Sequence, residues 1–178
     1  TYNDADQLIT TSGAFTSSST YDAAGNRISV SYGSGGTDTF AYDWNNRLSS
    51  ATVGGSSVFY GYSGDDLRTS RTEGGITESY LWDRLTALPT MVSDGTTQTV
   101  HGPQGVSNEI TGGTAAYPLQ DGLGSTRAWT NSAGTATGSS DWDVWGNPVA
   151  RWGMQSSLGW AGELTDTTTS QVYLRARD

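Results

Sequence analysis

The 178-residue sequence has no cysteine and no lysine, and only 4 Glu, 2 Met and 1 His. Each shortage excludes something. Without Cys there is no disulfide, no CxxC redox chemistry and no thiolate metal site. A single His rules out a metal site built on several imidazoles. With no Lys and so little Glu, a helix would lack its usual solvent-facing residues, which argues against a helical bundle or an ordinary α/β enzyme. No apolar run approaches the ~18 residues that span a bilayer as a helix, so membrane insertion is not expected. Positive charge is also scarce: 9 Arg stand against 18 acids, giving a net charge of −9 and a pI near 4.3. Nucleic acid is therefore not an expected partner, because phosphate contacts need clustered Lys or Arg. The first residues, Thr-Tyr-Asn-Asp, show neither an initiator Met nor a signal peptide and read as a processed or excised start.

What the chain does contain is 24 Gly, 23 Ser and 26 Thr, together 73 of its 178 positions. Tracts of these residues alone could not offset chain entropy, but 19 aromatics provide the burial that can. An all-β fold is what remains. Its turns recur. Gly35-Gly36, Gly54-Gly55, Gly74-Gly75, Asp94-Gly95 and Gly112-Gly113 follow one another at intervals of 18 to 20 residues. A second set falls midway, at Gly25-Asn26, Asn45-Asn46, Gly64-Asp65 and Pro103-Gln104-Gly105. Such residues tolerate the positive φ of tight hairpins, and a turn about every 10 residues leaves strands of about 6–8.

Between turns the period is 2. Ile28, Val30 and Tyr32 alternate with Ser29 and Ser31; Phe40, Tyr42 and Trp44 alternate with Ala41 and Asp43. Val58, Tyr60 and Tyr62 alternate likewise, and Tyr80 and Trp82 flank Leu81. The expectation is a sheet with one packed face and one solvated Ser/Thr face. The repeat itself is legible: Tyr21-Asp22-Ala-Ala-Gly-Asn26-Arg27-Ile28 aligns with Tyr42-Asp43-Trp-Asn-Asn46-Arg47-Leu48. Weaker copies start at Tyr2 and Tyr62, and Tyr80 continues the spacing. In each copy the Tyr packs on the sheet, the Asp caps the turn and Gly or Asn takes the left-handed position. An Arg four or five residues later folds back to the Asp, as Arg47 to Asp43.

This pattern resembles the YD repeats of the Rhs/teneurin-type proteins. The second half adds three elements like those of the Rhs-associated core. Asp121-Gly122-Leu123-Gly124-Ser125 resembles its opening element. Trp142-Asp143-Val144-Trp145-Gly146-Asn147-Pro148 resembles its "Y-D-P-F-G-N" element. Trp160-Ala161-Gly162-Glu163, Asp166 and Tyr173-Leu174-Arg175-Ala176-Arg177 resemble the closing element. The resemblance implies a meander of antiparallel hairpins, about 20 residues each, winding into a curved or spiral sheet. Residues 1–115 would be YD-repeat hairpins and 116–178 core-like hairpins continuous with the same sheet. It also implies a shell that in bacterial members encloses a toxin. The sequence given stops at Asp178, ahead of that family's self-cleavage segment, so no self-cleavage is assigned to these residues.

No residue is expected to be catalytic, metal-binding or cofactor-binding. His101 has no Gly-x-Ser-x-Gly elbow to serve. The pairs Asp4/Asp6, Asp65/Asp66 and Asp141/Asp143 lack the Asp-x-Asp-x-Asp-Gly pattern of a calcium loop and read as turn caps. Gly122-Leu123-Gly124-Ser125-Thr126 has no following Lys, so it reads as a turn rather than a phosphate loop. Tyr21, Asp22, Tyr42, Asp43, Asp121, Gly124, Trp142, Asp143, Gly146 and Asn147 are the structural motif residues. The functional expectation is a non-enzymatic, extracellular structural protein that associates with copies of itself into a fibre, tube or sheath, since unguarded sheet edges invite pairing. A toxin-enclosing shell wall is the first alternative. An adhesin that binds glycans through exposed Trp and Tyr is the second.

Overall fold

A computed structural model describes residues 1–13, 15–85 and 88–175. It is nearly all β. In one sheet, β1 (Thr10–Thr11), β2 (Ser17–Tyr21), β3 (Arg27–Tyr32), β4 (Thr37–Tyr42), β5 (Leu48–Val53), β6 (Ser56–Tyr62), β7 (Arg68–Glu73) and β8 (Ile76–Ser79) lie side by side in chain order. The second sheet holds β9 (Leu81–Asp83), β10 (Thr90–Ser93), β11 (Thr97–Gly102), β12 (Gly105–Thr111), β13 (Thr114–Gln120), β14 (Thr126–Thr130), β15 (Ala136–Trp142) and β16 (Pro148–Gly153), again in chain order. A short pair, β17 (Leu164–Thr165) and β18 (Val172–Tyr173), forms a separate two-stranded sheet. Both large sheets are open antiparallel meanders, as the turn spacing predicts. Residues 115 and 116 lie inside a single strand, β13.

The chain divides into two compact units: Thr1–Gly61 with Arg71–Thr77, and Tyr62–Ser70 with Glu78–Asp178. In the first, alternation separates two faces. Val30, Phe40, Ala51, Val58 and Tyr60 are buried, with Ala51 directly across from both Phe40 and Val58. On the other face Thr20, Ser29, Thr39, Thr52 and Ser57 stand in one row across five strands. Hydroxyls pair along that row, Thr20 with Ser29 at 2.6 Å and Thr52 with Ser57 at 3.0 Å. Trp44 departs from the expected alternation. Its strand ends at Tyr42, and Trp44 sits in the following turn, 87% exposed.

In the second unit, the chain leaves the sheet after Gly153 and folds back. Gly138 and Gly153 face each other there, and a Cβ on Gly138 would lie 2.3 Å from the Met154 carbonyl oxygen. Two residues without side chains are what let the backbone double back so closely. The returning segment, residues 154–175, packs Leu158, Leu164 and Tyr173 against Tyr80 and Met91, with Tyr62, Trp82 and Val106 around them.

Candidate functional site

Among the described residues one local structure recurs seven times, in residues 3–7, 22–26, 43–47, 63–67, 121–125, 131–135 and 143–147. In each, the first residue's N–H donates to the carbonyl of the fifth, and the fourth residue's N–H donates back to the carbonyl of the first. The first residue's side chain (Asn3, Asp22, Asp43, Ser63, Asp121, Asn131 or Asp143) accepts the N–H groups of the third and fifth. The fourth residue always has positive φ: Asp6, Gly25, Asn46, Asp66, Gly124, Gly134 and Gly146. In the 63–67 copy the left-handed position is therefore Asp66, one residue beyond the expected Gly64-Asp65. This is a hairpin loop whose polar first side chain replaces the partners that the tight turn denies to two backbone N–H groups.

The aromatic before the acid has its own task. The Tyr21 hydroxyl donates to the Leu8 carbonyl at 2.9 Å and the Tyr42 hydroxyl to the Arg27 carbonyl at 3.3 Å. The Trp82 indole donates to the Arg68 carbonyl at 2.6 Å and the Trp142 indole to the Thr126 carbonyl at 3.0 Å. Each reaches 13 to 16 residues back, to the hairpin before. Tyr and Trp are interchangeable in this role because each carries one donor at the far end of an apolar ring. Trp82-Asp83 is thus a copy of the motif, and the repeat position is Trp82 rather than Tyr80. The Trp-Asp dipeptide, shared with Trp142-Asp143, is the signal that marks it. Ahead of Asp121 stands Gln120, which makes the same backward reach by accepting the Val106 N–H at 3.0 Å.

The acids respond to their settings. Hydrogen bonds from Asn26 hold the Asp22 carboxyl below the usual carboxylate range, and those from Asn147 do the same for Asp143. At Asp43 burial pushes upward, but the Arg47 side chain and backbone N–H donors outweigh it and the pKa is lowered. Arg47 closes on Asp43 at 2.6 Å, as the spacing predicts. Neighbouring turns also touch, the Asn26 amide donating to the Asn46 side chain at 2.9 Å.

The returning segment covers two of the turns. A Cβ on Gly146 would lie 2.8 Å from the Trp160 ring, and one on Gly124 would lie 3.4 Å from the Ala161 carbonyl oxygen. Arg151 stacks over the Trp142 ring at 4.6 Å. Of the closing motif, Trp160–Gly162 forms a single 3-10 turn, Glu163 pairs with Arg175, and the Asp166 side chain accepts the N–H groups of Thr168 and Thr169. Tyr173 is buried against Trp82 and under the guanidinium of Arg68, 4.4 Å from its ring. Ala176 and Arg177 lie outside the described residues.

Sequence reasoning missed Glu109. It is 2% exposed, and its carboxylate accepts the Trp129 indole N–H at 3.2 Å and the Ser156 hydroxyl. Burial pushes its pKa up, and nearby Asp94 adds to that. The second unit also holds a cavity of about 170 Å³, walled by Trp82, Met91, His101, Gln120, Leu158 and Arg175. In it His101 Nε2 lies 2.8 Å from the Met91 carbonyl oxygen. Among the described residues no three His, Asp or Glu side chains converge as a metal site. Among the described residues no helix is long and apolar enough to cross a membrane.

The fold is an open antiparallel meander of hairpins tied backward by aromatic donors. Similar folds occur in solved structures of Tc toxin proteins. A crystal structure of TcdB2-TccC3 matches with a TM-score of 0.55 at 12% identity, over 92% of this chain and 12% of that one. TcdB2-TccC3-TEV gives 0.51 at 12% identity, over 89% and 11%. A Tc holotoxin pore from Photorhabdus luminescens gives 0.50 at 11% identity, over 91% and 11%. The chain spans 11 to 12% of the length of these chains, and the likeness is one of fold. No protein-family model and no curated protein matches the sequence.

Proposed function

We propose that these residues form a non-enzymatic wall segment of a larger, hairpin-built β-shell of the YD-repeat kind, working outside the cell. The observation that carries this reading is the fold likeness: 92% of this chain superposes on only 12% of the TcdB2-TccC3 chain, so its strands match a short stretch of a much longer chain. The YD-like motif supports it independently. At Asp22, Asp43, Asp83 and Asp143 the acid accepts turn N–H groups while the aromatic before it ties back to the previous hairpin, an arrangement that extends strand by strand. Enclosing a toxin is what the Rhs resemblance implies for such a wall.

The test is the native mass and negative-stain image of the material as isolated. The expected result is a closed particle whose polypeptide is far heavier than 18.8 kDa. Regular fibres, tubes or sheaths built from an 18.8 kDa subunit would overturn it in favour of a self-associating polymer. Saturable quenching of Trp fluorescence by sugars, with no particle formed, would move the function to glycan binding.

A further inference from the structure

The terminal strand of the second sheet is an open edge. β16 pairs with β15 on one side, and all six of its residues are exposed. The ladder determines which backbone groups face outward. Met154 N–H donates to the Thr137 carbonyl at 2.9 Å, which makes Gly138 and Gly153 a pair without mutual hydrogen bonds. Counting along the register, Ala150 and Trp152 bond to β15, while the N–H and C=O groups of Arg151 and Gly153 point away from it; Val149 is the unpaired residue of a bulge, since Asp141 faces Ala150 and Trp142 faces Pro148. The edge carries Pro148 at its start, the bulge at Val149 and one charge, Arg151, and no Lys.

The side chains bordering this edge have a definite chemistry. Trp152 and Ala150 lie on the face of Ser139 and Asp141, with Trp152 54% exposed. Arg151 lies on the other face, where its guanidinium rests on Trp142. Among the described residues Arg151 has no carboxylate in ion-pair range, and the nearest exposed acid across the strand pair, Asp141, is held by Arg127 at 3.2 Å. A cation without a carboxylate partner among the described residues therefore stands on the edge whose outward backbone groups are those of Arg151 and Gly153.

We propose that β16 is a docking edge for an extended acidic segment of another polypeptide, which adds to the second sheet as a further antiparallel strand. Main-chain bonds to Arg151 and Gly153 hold it, a carboxylate opposite Arg151 sets its register, and an apolar residue covers Trp152. The inference rests on the edge geometry and stands whether or not the wall reading does. Charge complementarity selects an acidic segment over a second β16, because two-fold pairing of this strand on itself about Arg151 would set the two guanidinium groups opposite each other.

The probe is a fluorescein-labelled peptide, Thr-Val-Glu-Val-Thr-Val, with its Glu→Lys counterpart, read by anisotropy on the 178-residue chain. The Glu peptide is expected to bind about two- to fivefold more tightly than the Lys peptide, the usual scale of an exposed ion pair. Arg151→Glu should reverse that order. Arg151→Pro removes one outward N–H and no ladder bond to β15, so both peptides should weaken tenfold or more with an unchanged circular dichroism spectrum. Failure of the parent chain to bind the Glu peptide, or equal binding by Arg151→Pro, would overturn the proposal. So would sedimentation showing that Arg151→Pro dissociates a pre-existing homo-oligomer, since the occupant would then be a second copy.

Discussion

The turn at residues 131–135 and the turn at 143–147 share a backbone, yet differ in what lies over them. Both carry the same two main-chain bonds and the same side-chain acceptor, and both place Gly in the left-handed position, Gly134 at φ 77° and Gly146 at φ 85°. Around Gly134 there is open space; against Gly146 lies the ring of Trp160. The first turn is held by residues within five positions of each other. The second is held by those and by a segment that returns from beyond the end of the sheet. Turn geometry here is a local property, whereas cover is a tertiary one.

The sharpest way to break the comparison is through the Trp residues on either side of it. Trp129 is 1% exposed and donates to buried Glu109, while Trp145, at the tip of the 143–147 turn, is 81% exposed. Trp129→Ala is expected to cost about 3–5 kcal/mol in urea unfolding, from lost burial and the cavity left behind. Trp145→Ala should stay within about 0.5 kcal/mol. Equal losses would mean that the tip of this turn is covered in solution.

A middle-sized effect comes from the glycines themselves. Gly134→Ala places an L side chain in the left-handed region and should cost about 1–2 kcal/mol, with no clash. Gly146→Ala adds a Cβ against Trp160, and overpacking should add about 1–3 kcal/mol. Gly134→Asn should be milder than Gly134→Ala, since Asn46 holds the same position in the 43–47 copy. If both alanine variants lose the same stability, the returning segment does not press on the 143–147 turn.

These differences explain what could be read in advance. The hairpin meander was legible because its turns are built from neighbouring residues: Asp, Asn or Ser first, then Gly, Asn or Asp three positions on. The phase slipped at Tyr80 because counting Tyr alone misses that an indole N–H does the same work, as Trp82 shows. Trp44 was misplaced because the alternation was carried past Asp43, where the turn begins. The returning segment carries a recognisable motif at Trp160–Glu163, Asp166 and Tyr173–Arg175, but nothing local shows where it docks. Its ties join Ser157 to Asp94 and Tyr173 to Arg68, across 63 and 105 positions, so no period in the sequence reports them. Glu109 is a single carboxylate in an alternating strand, and only Ser156, 47 residues on, and Trp129 show that it is buried.

The smallest expected effects are in pH dependence, where the two settings act with opposite sign. Asp143 is held below its ordinary value by its turn donors, so its contribution is complete above the unfolded value of about 3.9 and is lost as pH falls through the lower folded one. Glu109 is pushed up by burial, so its contribution is complete below the unfolded value of about 4.3 and is lost as pH rises through the higher folded one. Asp143→Asn keeps the turn acceptor, as Asn131 shows, and should flatten the stability profile only on the acid side of pH 4. Glu109→Gln should flatten it only above that point, leaving a chain that no longer loses stability as the buried carboxyl ionises beside Asp94. Urea midpoints measured from pH 3 to 8 on both variants separate the two limbs. A Glu109→Gln profile parallel to the parent's above pH 4 would mean that the returning segment does not exclude water from Glu109, and the contrast between covered and open regions would fail at a buried carboxyl.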